Sequence, residues 1–298
     1  MHPLRQSRLI AGNRDGSRSV GLARCGRALV SLLLVVAAMA SAVFAAEPKP
    51  SIPLRQAHAH NDYEHTRPLL DALDHGFCSV EADVWLVDGQ LLVAHDLKDT
   101  KAGRTLQALY LDPLRARVMQ NEGKVFRGGP PFTLLVDVKS DATNTYFALR
   151  DALRPYAAML TTFSKDRTET NAVTVVVSGN RARELMVAET NRLAAYDGRL
   201  VDLDSGDSPH FIPLISDNWL LHFKWRARPE EAPLSEPERA KLRQLVGRAH
   251  QQGRRLRFWG TPDRLVMWKE LSDSGVDLIN TDNLTGLREF FSSLPSGK

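Results

Sequence analysis

Short apolar segments alternate eight times with helix-like segments between residues 54 and 281, and few folds accommodate such a pattern. Most of the apolar segments are nearly continuous runs, which is typical of parallel strands covered on both faces. Eight strands separated by helices predict an α/β fold in which the sheet closes into a TIM (β/α)8 barrel. The predicted strands are residues 54–58, 78–84, 133–138, 173–178, 193–197, 212–216, 255–259 and 277–281.

The regular alternation is interrupted after the second strand, where residues 84–96 read VWLVDGQLLVAHD. An Asp-Gly pair between two apolar runs, here Asp88 and Gly89, is a hairpin signal. We therefore expect a small hairpin insertion after strand 2. Such a hairpin would bring His95 back beside the end of that strand.

Helix signals separate the predicted strands. Residues 180–193, NRARELMVAETNRL, have helical spacing of their apolar side chains. The pattern at residues 235–253 predicts a helix with Ser235 as N-cap, Glu238 completing a capping box, and Gly253 at its end.

The N-terminal segment is predicted to be a signal peptide comprising residues 1–45. Residues 1–27 are polar and basic, an apolar run follows, and the small residues Val43 and Ala45 precede the expected cut. We expect export to the periplasm or the extracellular space, and a single barrel domain over residues 46–298. An uncleaved membrane anchor is the alternative, because the apolar run is about as long as a bilayer requires.

The net charge argues against nucleic-acid binding. The whole chain carries +4 at pH 7, but its first 45 residues contribute +5, from six arginines against Asp15. The remainder carries −1, so no global positive field is left to attract nucleic acid. Cys78 is the only cysteine beyond residue 45. An internal disulfide is therefore excluded, and stability must come from a hydrophobic core.

Three acidic residues interrupt the apolar strands. Glu81 and Asp83 lie two residues apart in the second predicted strand, so their side chains point to the same side. If that side is the barrel interior, the two carboxylates raise each other's pKa unless a cation lies between them. Asp137 ends the third strand and would supply a third ligand. Oxygen ligands suit one hard divalent cation, Mg²⁺ or Ca²⁺. The alternative for each acid is an ordinary solvated strand end.

Histidines and a lysine accompany these acids at the predicted strand ends. His58 ends the first strand, His95 closes the hairpin, and Lys139 shares a face with Asp137. One imidazole can take a proton while the other gives a proton to a leaving group. Lys139 can hold a phosphate oxygen. A structural role for each of these side chains is the alternative.

Taken together, the segments HAHND, SVEADV, DGQLLVAHD and LLVDVKS resemble a phosphodiesterase superfamily. That superfamily contains glycerophosphodiester phosphodiesterases and phosphatidylinositol-specific phospholipase C. The sequence is most similar to the branch whose fungal members are called altered inheritance of mitochondria proteins. The resemblance extends from His58 to the INTD at residues 279–282.

The resemblance implies a role for each matching residue. His58 and His95 would form the acid–base pair, the three acids would bind the metal, and Lys139 would contact the phosphate. The implied substrate-binding residues are His60, Asn61, Asn180, Trp259 and Asp282.

The first motif departs from the glycerophosphodiesterase pattern. Those enzymes have His-Arg-Gly at the first strand, whereas this chain has His58, Ala59, His60 and Asn61, without the phosphate-binding arginine. The spacing His-x-x-Asn is instead similar to the sphingomyelinase D relatives, which cyclise their product. Both His58 and His60 therefore stay candidates for the first catalytic histidine, and the motif favours His58.

The predicted function is a secreted, metal-dependent phosphoric diester hydrolase acting on glycerophosphodiester or phospholipid-type substrates. Its product would be a cyclic phosphate where a neighbouring hydroxyl of the substrate attacks. The expected partners are that small substrate and a transiently contacted membrane surface, with no nucleic acid. A non-catalytic barrel that binds phosphate or lipid headgroups is the alternative. A sugar hydrolase using Glu81 and Asp137 is a third interpretation, which leaves the histidines and Lys139 without a role.

Overall fold

Eight parallel strands close into a barrel in the computed structural model, which describes residues 52–230 and 232–295. The barrel order is β1-β2-β4-β7-β9-β10-β11-β12, and β1 closes it by pairing with both β2 and β12. The predicted TIM barrel is confirmed. The signal peptide predicted for residues 1–45 lies outside the described residues. The strands are β1 (Leu54–Ala59), β2 (Phe77–Val87), β3 (Gln90–Val93), β4 (Phe132–Val138), β5 (Thr162–Ser164), β6 (Thr168–Glu169), β7 (Val173–Gly179), β8 (Asn191–Arg192), β9 (Ala194–Gly198), β10 (Leu214–Asn218), β11 (Arg255–Trp259) and β12 (Leu278–Thr281).

All eight predicted barrel strands are present, and each boundary lies within three residues of the prediction. Their apolar runs are continuous because helices cover the outer face while side chains fill the interior. In β7, for example, the three valines at 175–177 are all fully buried. The α-helices are α1 (Leu70–Asp74), α2 (Asp112–Gln120), α3 (Ala142–Leu153), α4 (Arg183–Ala188), α5 (Trp219–His222), α6 (Glu236–Gln251), α7 (Leu265–Asp273) and α8 (Leu284–Ser293).

The predicted hairpin after strand 2 is confirmed. Strand β2 runs beyond the barrel to Val87 and pairs antiparallel with β3, with Val84 opposite Val93. Asp88 and Gly89 both have positive φ, at 48° and 78°, as a two-residue hairpin turn of this hand requires. The Ala94 N–H donates to the Asp83 carbonyl at 3.2 Å, which holds the chain leaving β3 against the end of the barrel strand.

The helix predicted for residues 180–193 is wrong over its second half. Helix α4 ends at Ala188, and β8 follows it in a three-stranded antiparallel sheet with β5 and β6. The Arg192 side chain is buried and donates to the carbonyls of Met186 and Glu189, both at 3.3 Å. Carbonyls that a longer helix would use are therefore satisfied by this guanidinium group instead.

The capping box predicted at α6 is also wrong. Ser235 occupies the N-cap position, but its side chain accepts no backbone hydrogen bond. Glu238 accepts a hydrogen bond from the Lys224 N–H at 2.7 Å, so its carboxylate ties the preceding loop rather than the N-cap. None of the helices in the described part of the chain is both long and apolar enough to cross a membrane.

Candidate active site

Three carboxylates converge where β2 and β4 end, at the carboxyl end of the barrel strands. Glu81 and Asp83 are inward-facing residues of β2, and Asp83 lies directly opposite Asp137 of β4 in the parallel register. One oxygen from each of the three groups lies within 4.8 Å of the others. We call Glu81, Asp83 and Asp137 the carboxylate cluster. The sequence predicted this convergence from the two-residue spacing in one strand and the acid that ends the next.

The electrostatics of the carboxylate cluster reflect crowding of like charges. Burial, followed by the charge of Glu81, raises the pKa of Asp83 to about 6 and also raises the pKa of Asp137. Burial acts the same way on Glu81 and is the largest single effect there, but Arg257, His58 and His60 together outweigh it and lower the pKa of Glu81 below its usual range. The Asp83 Oδ1 atom is buried and has no hydrogen-bond partner among the described residues. Three oxygen donors with one orphaned buried oxygen fit a hard divalent cation such as Mg²⁺ or Ca²⁺.

Lys139 extends from the end of β4 into the carboxylate cluster. Its Nζ lies 3.0 Å from both Asp83 Oδ2 and Asp137 Oδ1. Burial lowers the pKa of Lys139, but the two carboxylates outweigh this effect and raise that pKa above its ordinary value. Gly179 on the neighbouring strand end has a φ of +67°, and a Cβ there would collide with Asp137 Oδ1 and the Val138 carbonyl. A glycine is thus required for the Asp137 side chain to occupy this position.

The hairpin delivers His95 to the same place. His95 Nδ1 lies 3.1 Å from Asp83 Oδ2 and 3.1 Å from the Tyr63 hydroxyl, and the imidazole is about 58% exposed. The Trp85 indole N–H donates to the His95 carbonyl at 3.3 Å, so both the backbone and the ring of His95 are held. The Tyr63 hydroxyl also donates to Asp83 Oδ2 at 2.7 Å. The exposed imidazole lines the cavity that is described below.

The two histidines near the end of β1 differ in depth. His58 has no exposed surface; its Nδ1 lies 2.7 Å from Ser79 Oγ and its Nε2 lies 3.4 Å from Glu81 Oε2. Burial, with Arg257 adding to it, lowers the pKa of His58 to about 3. The imidazole of His58 is therefore neutral at pH 7 and packs behind Glu81.

His60 lies one layer nearer the opening. Its Nδ1 is 2.9 Å from Asp282 Oδ1, its Nε2 is 4.0 Å from Glu81 Oε1, and about 30% of its side chain is exposed. Burial lowers the pKa of His60, but the hydrogen bond with Asp282 and the charge of Glu81 outweigh it and raise that pKa. His60 is among the residues lining the cavity described below, and His58 is not.

The remaining predicted substrate-binding residues are spread around the opening. Trp259 lines the cavity. Asn61 has a φ of 47°, and its side chain lies 2.7 Å from the Tyr63 hydroxyl and 3.4 Å from Asp282. Asn180 donates to the Ser140 carbonyl at 2.9 Å, which ties two adjacent strand-end loops together. The side chains of Asn61 and Asn180 thus brace the loops, whereas Trp259 faces the space that a ligand would occupy.

A cavity of about 350 Å³ lies over these residues, and neither of the two arginines that line it was predicted. We call it the central cavity. Arg257 of β11 is nearly buried, donates to Asn280 Oδ1 at 2.7 Å and forms an ion pair with Glu81. Arg199 lies 2.9 Å from the buried carboxylate of Asp197. A charged residue inside the apolar strand RLRFW was the available signal for Arg257; no comparable signal marked Arg199.

Comparison with known proteins connects this geometry to one family. Residues 49–197 match the family described as the AIM6-like phosphodiesterase domain. The chain is 31% identical over 270 residues to Altered inheritance of mitochondria protein 6 of Eremothecium gossypii, covering 80% of this chain and 69% of that protein. It is 32% identical over 278 residues to the protein of the same name from Lachancea thermotolerans, covering 77% of this chain and 64% of that protein. The chain thus spans about two thirds of the length of these relatives.

Among solved structures, a glycerophosphodiester phosphodiesterase from Agrobacterium tumefaciens superposes on this chain with a TM-score of 0.48 at 16% sequence identity. That superposition covers 80% of this chain and 100% of the other. The motif resemblance drawn from the sequence is confirmed by the family match and by the identity to the fungal proteins. The chain belongs to the family of AIM6-like phosphodiesterase domains.

Proposed function

We propose that the chain is an exported phosphoric diester hydrolase that uses one divalent cation, Mg²⁺ or Ca²⁺. The observation that carries the proposal is the carboxylate cluster with its orphaned Asp83 oxygen, bordered by Lys139 and by two imidazoles that reach the central cavity. A cation there would act as a Lewis acid on a phosphate oxygen. The substrates we propose are glycerophosphodiesters or phospholipid-type diesters.

The charges around the central cavity suit a singly charged ligand. The carboxylate cluster contributes −3, and Lys139 and Arg257 contribute +2. Arg199 is balanced by the buried Asp197. A divalent cation would bring this sum to +1, which the single negative charge of a phosphodiester neutralises. The guanidinium group of Arg257 also replaces the phosphate-binding arginine that is missing from the first motif.

His60 and His95 are the imidazoles we assign to proton transfer. Proton transfer requires contact with the reacting oxygen, and both side chains are exposed to the cavity whereas His58 is not. One imidazole takes the proton from the attacking water or substrate hydroxyl as the new P–O bond forms. The other gives a proton to the departing oxygen as the old P–O bond breaks. His58 holds Glu81 from behind in this arrangement.

One contact favours the alternative of a non-catalytic barrel that binds phosphate groups. Arg257 already forms an ion pair with Glu81 and thereby neutralises one of the three proposed ligands. A barrel with Arg257 and Lys139 as fixed cations could bind a phosphate group without turnover. Measurement of turnover separates the two functions.

The test is hydrolysis of bis(p-nitrophenyl) phosphate with Mg²⁺ or Ca²⁺ and with a chelator. We expect turnover that the chelator abolishes and that Asp83→Asn abolishes together with cation binding in calorimetry, while the exposed control Asp166→Asn retains both. With a glycerophosphodiester as substrate, whose departing alkoxide needs a proton, His60→Ala and His95→Ala should each lower turnover at least about a hundredfold, and the distant control His250→Ala should not. Loss of turnover in His58→Ala alone, with cation binding intact, would return the catalytic role to His58. Phosphate binding without turnover of either this diester or a glycerophosphodiester, which carries its own hydroxyl groups, would favour the binding barrel.

A further inference from the structure

A cavity of about 470 Å³ lies at the amino end of the barrel strands, opposite the candidate active site. Residues at the starts of four strands line it: Arg55 of β1, Thr133 of β4, Thr174 of β7 and Arg255 of β11. Arg55 is exposed, so the cavity opens at the protein surface. Its volume is within the size range of small-molecule sites. We call it the basal cavity.

An apolar layer separates the basal cavity from the central cavity. Along β4, Thr133 lines the basal cavity, Leu135 is fully buried and Asp137 lines the central cavity. Leu135 belongs to a buried cluster with Val176 and Leu214 of neighbouring strands. The four residues from Thr133 to Asp137 correspond to about 13 Å along a strand. The basal cavity is therefore distinct from the candidate active site.

Arg255 lines the basal cavity without an acidic partner. It is partly buried and lies two residues before Arg257, on the same inward side of β11. Within the described part of the chain, its guanidinium group forms one side-chain hydrogen bond, from Nη2 to Thr133 Oγ1 at 3.1 Å, and no ion pair. Burial lowers the pKa of Arg255, and the charge of Asp277 opposes this effect only in part. A bound anion would supply the missing negative charge.

The charged residues that line the basal cavity have a positive sum. They are Arg55, Arg255 and Asp277, which together carry +1. The Asp277 carboxylate is already engaged, because its Oδ2 accepts from the Leu256 N–H at 2.8 Å and lies 2.8 Å from His250 Nε2. Arg55 forms no ion pair with any residue that the structure describes. Both guanidinium groups thus keep donors for a ligand.

Threonine hydroxyl groups add neutral donors. Thr133 accepts from Arg255 and keeps its own proton. Thr161 accepts from the Asn171 N–H at 3.0 Å and lies 2.9 Å from the Thr174 hydroxyl. Whichever of these two threonines donates to the other, one hydroxyl proton of the pair is left for a further acceptor.

We propose that the basal cavity is a second binding site, which takes a phosphate group carried by inorganic phosphate or by a small phosphate monoester. A guanidinium group can bind two phosphate oxygens at once, as Arg255 would here. Strands β11 and β4 lie across the barrel from each other, so donors enter from both sides, which suits a tetrahedral group better than a planar carboxylate.

The proposed site is a binding site and not a second catalytic centre. Its lining residues include no imidazole and one carboxylate, that of Asp277, among the described residues. A phosphate group bound there would be held without hydrolysis. The proposal therefore stands whether or not the chain hydrolyses diesters.

The test is calorimetry with inorganic phosphate and with glycerol 3-phosphate, in the presence of a chelator. Arg255→Gln should weaken phosphate binding at least about tenfold, because charge-assisted hydrogen bonds are lost. Arg55→Gln, at an exposed residue, should weaken it about threefold. Lys139→Gln at the central cavity should leave this binding intact, as should Arg115→Gln, which removes the same charge from the exposed face of α2.

Thermal unfolding provides a second measurement. Phosphate should raise the Tm of the unmodified protein and of Arg115→Gln, but not that of Arg255→Gln, since only a protein that binds the ligand is stabilised by it. If Arg255→Gln does not fold, Arg55→Gln and the charge-retaining Arg255→Lys decide, and both should bind phosphate more weakly than the unmodified protein.

The two ligands identify the source of the phosphate group. Tighter binding of glycerol 3-phosphate would support a monoester, and equal binding would support inorganic phosphate. Absence of binding at millimolar concentrations of both would overturn the proposal. So would phosphate binding that Lys139→Gln abolishes and that the substitutions at Arg55 and Arg255 leave unchanged, because the phosphate would then lie in the central cavity.

Discussion

Asp62 is a buried carboxyl group that belongs to none of the proposed catalytic contacts. Its Oδ2 accepts from the Leu69 N–H and from the Tyr110 hydroxyl, the latter at 2.9 Å. Burial raises the pKa of Asp62 from 3.8 to about 7, although both hydrogen bonds act in the opposite direction. The bond to Leu69 spans the β1–α1 connection, where Leu69 has a φ of 64°. Asp62 therefore stabilises the β1–α1 connection and the positive φ of Leu69, although burial of its carboxyl group is itself unfavourable.

This burial makes stability depend on pH in a defined direction. Between about pH 4 and pH 7 the folded state binds a proton that the unfolded state has released, so the free energy of unfolding falls as pH rises, by up to about 1.4 kcal/mol per pH unit. The contribution is complete below pH 4 and lost above pH 7. Asp62→Asn should remain neutral and lose this dependence, so its Tm relative to the unmodified protein should rise from pH 4 to pH 7 and level off above pH 7. A constant difference, like that expected for Asp166→Asn, would contradict the assignment.

At the scale of single elements, the helix caps differ in a way that stability can measure. Asp141 caps α3 by accepting from the Asn144 N–H at 2.9 Å, whereas the Ser235 side chain at α6 makes no capping bond. Asp141→Ala should lower stability by about 1 kcal/mol, a Tm decrease of about 2–4 °C for a domain of this size. Ser235→Ala should change stability by less than about 0.5 kcal/mol. Thermal unfolding checks both, and an equal decrease would mean that Ser235 does cap its helix.

The strands were predictable because periodicity and turn chemistry are local. Continuous apolar runs located all eight barrel strands, and Asp88 with Gly89 located the hairpin. The helix over residues 180–193 was mispredicted because β8 pairs with β5, and because the buried Arg192 side chain also donates to the His210 carbonyl at 3.1 Å. Both partners lie in distant parts of the sequence. Sequence spacing cannot reveal such contacts.

The site was predictable in part for the same reason. Alternation on a strand placed Glu81 and Asp83 on one side, and the register with β4 brought Asp137 to them. Alternation also places His58 and His60 on one side, but it does not give their depth along the barrel axis. That depth depends on where the barrel ends and on the position of Arg257. Arg257 contacts Glu81 although the two residues are 176 positions apart in the sequence.

At the scale of the whole molecule, barrel closure is what assembles the site. The proposed ligands come from β2 and β4, His60 follows β1, and Arg257 comes from β11 on the other side of the closing strands. In the strand register, His58 of β1 lies opposite Ser79 of β2 on one side and Asn280 of β12 on the other. These pairings close the barrel beside the carboxylate cluster. Substitutions that disrupt the pairing of β1 with β2 and β12 should therefore lower activity and stability together.

Export is the prediction that concerns the whole chain, and charge makes it measurable. The whole chain has a net charge of +4 and a pI near 9.1, and residues 1–45 alone contribute +5. Removal of these residues therefore leaves a protein with a net charge of −1. We expect the secreted or periplasmic protein to begin at Ala46 and to focus below pH 7, because the acids then outnumber the basic side chains. Intact mass and isoelectric focusing of the fractionated protein measure both properties. A membrane-bound species that keeps Met1 and focuses near pH 9 would instead support the uncleaved anchor, since the same apolar run is about long enough to span a bilayer.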